Sequence, residues 1–187
     1  MAFAHLMTIP PGPRLIAGLW RGRRLVAPVG LETRPTGARA RQAVFDILAH
    51  APWCELRGAL VLDVFAGTGA YGLEALSRGA AGAVFFEQAP AALAALRRNV
   101  GICGNLWRIV AGDVLAPPPG EPHDLVFLDP PYGQDLVPRA LASLRARGWI
   151  APGAIIVAEL GPGDVLEVAE PLAERAHGKA RIKIWRV

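Results

Sequence analysis

The sequence predicts an α/β fold, a mostly parallel sheet with helices on both faces, and three observations carry that expectation. Apolar runs of six to eight residues alternate with segments of 10–15 residues at helical spacing between residues 59 and 160. Runs such as ALVLDV, AGAVFFE and DLVFLD are nearly continuous in apolar residues, as strands buried on both faces must be. The chain of 187 residues, 52% hydrophobic and 19% charged, holds enough apolar material for one sizeable core and too much for a disordered chain.

Taken in order, residues 1–13 (MAFAHLMTIPPGP) lack the basic residues that a secretory or transit signal needs and end in a Pro-Gly-Pro breaker. They are expected to form a disordered extension, with Met7 or a later residue as an alternative start, and the chain is expected to be cytoplasmic. RLIAGLWRGRRLV (14–26) places two apolar patches around Arg-Gly and predicts a small hairpin. Thr36 is the expected N-cap of a helix whose stripe is Ala40, Val44, Ile47 and Leu48, with Arg39 and Arg41 outside it. Glycine and proline near residues 52–58 then separate a head (14–51) from a main domain (52–187).

Within the main domain, strands are expected at 59–64, 81–87, 106–113, 124–129 and 154–160, joined by helices that close at glycines such as Gly79 and Gly148. GDVLEVAEPL and ARIKIWRV add two extended segments that read as an antiparallel C-terminal hairpin, for seven strands in all. Ligands of such sheets bind beyond the carboxyl ends of the strands. No apolar run reaches the roughly 18–20 residues that span a bilayer, so no membrane partner is expected.

Charge divides the chain sharply. Residues 1–41 carry seven arginines against Glu32 alone, a net of +6; residues 42–174 carry eight arginines and fifteen acids, a net of −7; residues 175–187 carry five basic residues and no acid. If the basic ends meet in space, they make one surface suited to a polyanion. Cys54 and Cys103 are too few for a disulfide framework or zinc ribbon, and His5, His50, His123 and His177 show no ligand spacing, so no metal is expected.

The chemistry gathers at strand ends. VLDVFAGTGAYG (61–72) runs a buried strand into Gly67, Gly69 and Gly72, the G-x-G-x-x-G pattern of a tight turn that lets a ligand approach the backbone. Phe65, Ala66 and Thr68 belong to that turn. Glu87, 20 residues after Gly67 and followed by Gln88, ends the next strand, where a carboxylate can accept bonds from two ribose hydroxyls. This much suits a dinucleotide or S-adenosylmethionine. Asp63 favours the latter: a buried negative charge four residues before Gly67 repels a pyrophosphate and serves a cationic cofactor with an amino group. Asp113, in Ala-Gly-Asp at the third strand end, can accept the adenine 6-amino proton; a solvated cap is the alternative.

Asp129-Pro130-Pro131-Tyr132 closes the fourth apolar strand. The lone pair of a base's exocyclic amine is delocalised into the ring. A carboxylate (Asp129) and a backbone carbonyl (Pro130) can each accept one of its N–H groups and draw the amine toward a reactive geometry. The prolines fix these acceptors and donate no competing N–H. Tyr132 offers a face for stacking a flipped base, worth about 1–3 kcal/mol.

From Arg14 to about Leu160 the sequence resembles the RsmD family, bacterial enzymes that methylate N2 of one guanine in 16S ribosomal RNA. The blocks that carry the resemblance are RLIAGLWRGRRL, RPTGARARQAVFDIL, LDVFAGTGAYGLEALSRGA, FLDPPY and GWIAPGAIIVAEL; the first two distinguish this family, since the glycine loop and DPPY recur across many amino-methyltransferases. The resemblance implies a Rossmann-like class I methyltransferase fold in which Asp63, Gly67, Gly69 and Glu87 hold S-adenosylmethionine, with Asp113 near its adenine. It implies that residues 129–132 hold the guanine, and that Arg34, Thr36, Arg39 and Arg41 belong to a head near cofactor and RNA. Arg21, Arg23 and Arg24 extend that RNA-facing set. Two departures stand out: the family usually has an acid at the place of Ala38 and often Glu at that of Gln42.

The expected partner is 16S rRNA, within an assembling small ribosomal subunit, and the expected state is a monomer. Two alternatives stay open: a DNA adenine-N6 methyltransferase, for which about 27 residues after Leu160 leave no room for a target-reading domain, and a non-catalytic rRNA-binding module with a vestigial cofactor site. A nicotinamide enzyme would explain the glycine loop but not DPPY.

Overall fold

In the computed structural model, which describes residues 11–28, 35–168, 170–178 and 180–187, a seven-stranded sheet grows outward from β3 (Leu60–Val64). Strand β3 pairs in parallel with β4 (Gly82–Glu87) on one side and with β6 (His123–Leu128) on the other. With β5 (Trp107–Ala111), β7 (Ile150–Leu160), β8 (Ala173–His177) and β9 (Ala180–Arg186), the order across the sheet is β5-β4-β3-β6-β7-β9-β8. The chain winds from β3 through β4 to β5, then returns to the far side of β3. The reversal leaves a crevice over the carboxyl ends of β3 and β6, where such sheets bind ligands.

Two apolar layers sandwich the sheet. Val61, Phe85, Phe127 and Val157 face α1 (Pro35–His50), α2 (Ala70–Ser77) and the Leu96 and Val100 side chains of α3 (Pro90–Val100). Leu62, Val64, Phe86 and Val126 face α4 (Leu136–Ala146) and the buried Trp149. By the period-2 rule Asp63 falls on the same face as Val61, beneath α1 and α2.

The head begins with β1 (Pro11–Arg14) paired antiparallel with β2 (Arg24–Val26). The hairpin is therefore present, but its strands lie at its outer ends and residues 15–23 form the turn. Residues 11–13, expected in the extension, belong to β1; the rest of that extension, Met7 included, lies outside the described residues.

Three side chains of the main domain fasten the head. Glu74 of α2, fully buried, accepts the backbone N–H of Ile16 at 2.7 Å and of Ala17 at 3.0 Å, and also pairs with Arg78. Ser77 accepts the Trp20 N–H and donates to the Ala17 carbonyl. Asn99 of α3 accepts the Val26 N–H and donates to the carbonyls of Val26 and Thr68. Trp20 itself packs, partly buried, against the core.

Helix α1 starts at Pro35, whose missing N–H costs nothing at that position, so Thr36 stands inside the first turn rather than at the cap. Its buried stripe is Ala40, Arg41, Val44, Phe45 and Leu48. Arg41 thus lies inside the stripe, not outside: Phe45 packs on Tyr71 and Phe127 (ring centroids 6.2 and 5.5 Å) and turns the residue one helical turn earlier inward. The C-terminal hairpin also differs in one strand. Residues 163–168 and 170–172 form no strand, and AERAH (173–177) forms the edge strand β8 instead. Exposed edge strands need little apolar content, which is why AERAH gave no strand signal.

Candidate active site at the carboxyl edge of the sheet

Five carboxylates stand at the carboxyl ends of five adjacent strands. In sheet order they are Asp113 after β5, Glu87 ending β4, Asp63 near the end of β3, Asp129 after β6 and Glu159 near the end of β7. All five line one cleft of about 890 Å³, within the range of small-molecule sites. Neighbouring strands lie about 4.8 Å apart, so the row extends over roughly 20 Å.

The turn after β3 shapes one wall. Phe65 (φ 62°), Gly67 (φ 55°) and Gly69 (φ 77°) all take left-handed backbone, and for Phe65 that conformation costs about 1–3 kcal/mol. Gly69 caps α2, and a Cβ there would come within 2.6 Å of Leu96 Cδ1. Ala66 and Thr68 complete the wall, with its bonds running from Ala66 N–H to Phe86 O and from Gly69 N–H to Ala66 O.

Glu87 is held rigidly. Its Oε2 accepts Gly67 N–H, and Oε1 accepts those of Gln88 and Ala89, each at 2.8 Å. A carboxylate offers about four acceptor positions. One remains, on Oε2, where the sequence suggested room for two ribose hydroxyls; a second hydroxyl must displace an amide. Gln88 stands exposed beside it on the cleft rim. Asp113 caps the Leu115 N–H through Oδ1 at 2.9 Å, and the residue also lines the cleft.

Asp63 is almost fully buried and accepts the Gly72 N–H through Oδ2 at 2.8 Å. Burial pushes its carboxyl up to about 8; the Gly72 amide pulls it down, Asp129 and Glu87 push it further up, and Arg41 offsets part of this. Stacked 5.0 Å from Phe127, Tyr71 lines the cleft with a phenol that burial holds well above its ordinary value.

On the other side of β3, Asp129 is exposed, Pro130 buried, Pro131 exposed and Tyr132 half-buried. The Tyr132 hydroxyl donates to Glu159 Oε1, and its ring lies against Gly161, where a Cβ would sit 2.3 Å from Tyr132 Cγ. Asp164 braces the pair, accepting Gly133 N–H on Oδ1 (3.1 Å) and Gly161 N–H on Oδ2 (2.7 Å).

Of the arginines expected to face RNA, Arg21, Arg23, Arg24 and Arg39 are exposed. Arg34 lies outside the described residues. Arg41 is only 4% exposed and lines the cleft. Sequence reasoning missed Glu159, Asp164, Glu74 and Asn99. Glu159 had a usable signal, an acid closing an apolar strand as Asp63 and Glu87 do. The others each bond backbone groups distant in sequence, which no local pattern marks.

Elsewhere, Cys54 and Cys103 have thiols that burial pushes up to about 11, inert at neutral pH. His123 stacks on Trp149 and is lowered by burial. Among the described residues no group of three His, Cys, Asp or Glu is placed to hold a metal, and no helix is long and apolar enough to cross a membrane.

Comparison with known proteins agrees with this architecture. The family described as "Conserved hypothetical protein 95" matches residues 13–186. Ribosomal RNA small subunit methyltransferase D of Escherichia coli K12 is 40% identical over 150 residues, 78% of this chain and 73% of that protein. The protein of the same name from Haemophilus influenzae is 37% identical over 156 residues, covering 78% and 77%. Among solved structures, Escherichia coli yhhF superposes with a TM-score of 0.80 at 35% identity over 92% of this chain and 96% of that one. An RNA methyltransferase from Salinibacter ruber in complex with S-adenosyl-L-homocysteine shares the fold (TM-score 0.58, 17% identity, 83% and 93% covered). By the reach of the family match and by these identities, the chain belongs to the ribosomal RNA small subunit methyltransferase D, or RsmD, family.

Proposed function

We propose that this chain transfers a methyl group from S-adenosylmethionine to the exocyclic N2 amine of a guanine in 16S rRNA of the small ribosomal subunit, met in the cytoplasm as the subunit assembles. The observation that carries the reading is the carboxylate row, with the glycine turn and Glu87 on one side of β3 and Asp129 to Tyr132 on the other. Relatives named for small-subunit rRNA methylation support the substrate class.

The residues present suit this cofactor. Its sulfonium and ammonium charges meet a cleft lined by five acids, and Asp63 sits where an amino group can satisfy an otherwise costly buried carboxylate. Phe65, Ala66, Phe86, Val114 and Leu115 give the adenine apolar walls. When bound, S-adenosylmethionine supplies an electrophilic methyl group on a good leaving group.

The protein's contribution is then orientation. Asp129 and the Pro130 carbonyl each accept one N–H of the target amine and aim its lone pair. Tyr132 stacks on the flipped base, held by Glu159 and Gly161. The head (14–51) forms the RNA-facing unit, with Arg21, Arg23, Arg24 and Arg39 drawing in phosphates that the acidic cleft would otherwise repel. Arg34 and Thr36 belong to the same unit.

Mass spectrometry of nucleosides from unmethylated 16S rRNA or small subunits, incubated with labelled cofactor, tests the reading. Label is expected in N2-methylguanosine. Label in N6-methyladenine of DNA instead, or in no nucleoside, overturns it.

A further inference from the structure

Arg41 is not explained by the chemistry above. It is a buried guanidinium in a cleft lined by five carboxylates; among the described lining residues Arg139 is the other cation, and that one is exposed on α4. Nη2 donates to the Arg14 carbonyl at 2.8 Å, while the buried Nε has no hydrogen-bond partner. One turn earlier α1 offers Ala38, not an acid, and Gln42 turns away to bond Asp46. Burial lowers the Arg41 pKa while the nearby Glu74, Tyr71, Asp63 and Asp129 push back, yet a guanidinium stays charged. A buried cation with donors to spare is costly unless something occupies them.

Gly37 and Ala38, in the first turn of the same 16-residue helix, line the cleft as well. The positive end of α1 and the Arg41 guanidinium thus face one volume, on the sheet face that carries Asp63. The first-turn amides of a helix, which lack intrahelical partners, and a guanidinium together make an anion site.

The cofactor assignment proposed above, on which this step rests, orders the ligand along the row. Asp113 and Glu87 take the adenine and ribose, so the amino-acid end lies over β3. That end carries an ammonium and the ligand's one carboxylate. Beside Asp63, and with Asp129 and Glu159 beyond, a carboxylate is repelled unless a cation receives it. We infer that Arg41, with the first turn of α1, binds the α-carboxylate of the cofactor's methionine moiety, while Asp63 receives its ammonium. Arg41 is then a cofactor ligand supplied by the head rather than an RNA contact.

Calorimetric titration of the full chain with S-adenosylmethionine and with decarboxylated S-adenosylmethionine tests the assignment without any activity assay. The wild type should bind the carboxylate-bearing ligand about 10- to 100-fold more tightly, the range of a charge-assisted pair. Arg41→Gln should bind both ligands equally, and Arg41→Lys should recover part of the preference. Equal affinities in the wild type overturn the inference, even if Arg41→Gln fails to fold. Equal weakening of both ligands in a folded Arg41→Gln also overturns it, as does weakened RNA binding with cofactor binding unchanged. If neither ligand binds the wild type, the cofactor assignment itself falls, a result distinct from the loss of preference.

Discussion

Tyr132 and Glu159, 27 residues apart, meet through a hydrogen bond from the phenol to Oε1, joining the loop after β6 to the end of β7. Glu159 is buried, so the bond satisfies a carboxylate that has left water and fixes the ring's tilt over Gly161. Tyr132→Phe keeps the stacking face and removes that anchor. Methyl transfer measured as kcat/KM is expected to fall about 3- to 15-fold, the worth of one hydrogen bond. Tyr132→Ala, which removes the face as well, should fall much further. Equal losses in the two variants would show that the ring contributes nothing beyond its hydroxyl.

Asp129→Ala should reduce transfer by at least about 100-fold, the scale for losing a preorganised polar contact to the reacting group. Cofactor affinity by calorimetry should remain near the wild-type value. Retained transfer in this variant would remove Asp129 from the chemistry.

Asp63 sets a pH dependence whose sign follows from its raised carboxyl, about 8 when folded against 3.8 ordinarily. Between those values the folded chain holds more protons than the unfolded one, so stability falls as pH rises through that window. Asp63→Asn keeps an acceptor for Gly72 N–H and loses the titration. Urea midpoints at pH 5 and pH 8 should therefore lie closer together in the variant than in the wild type. Cofactor binding at pH 7, by bringing a cation to Asp63, should also release protons, visible as a dependence of binding heat on the buffer's ionisation enthalpy. An unchanged midpoint gap in Asp63→Asn would place the titration elsewhere.

Glu74→Gln leaves one of three donors facing an amide NH2 instead of an oxygen. The expected loss is about 2–4 kcal/mol, or roughly 5–15 °C in melting temperature. Hydrogen exchange should quicken at Ile16 and Ala17 before it quickens in the sheet. A melting temperature within a degree of wild type would show that the head docks by apolar packing alone.

Replacing Arg21, Arg23 and Arg24 with alanine should weaken RNA binding and lower the slope of log affinity against log salt by about two. These side chains are exposed, so folding should be unaffected. An unchanged slope would take the hairpin turn out of the interface.

Much of this was legible in the sequence where function and structure are written in the same few residues. The turn of residues 65–69 needs glycines at left-handed positions, and DPPY needs its prolines, so both announce themselves locally. Arg41 was misplaced because a stripe drawn from apolar residues has no place for a cation; only the packing of Phe45 against Tyr71 and Phe127 turns it inward. AERAH was missed because an edge strand pairs through its backbone, whereas the alternating residues 164–168 form no strand. Glu74, Ser77 and Asn99 grip residues 57 to 73 positions away, and spacing rules stop long before such distances.

Asn99 carries a consequence for communication within the molecule. One amide group holds the Thr68 carbonyl in the glycine turn and the Val26 backbone in the hairpin. Moving the turn toward a ligand therefore strains bonds that run to the strand beginning with Arg24, and moving that strand strains bonds to the turn. Asn99 is thus a single joint between the glycine turn and the hairpin.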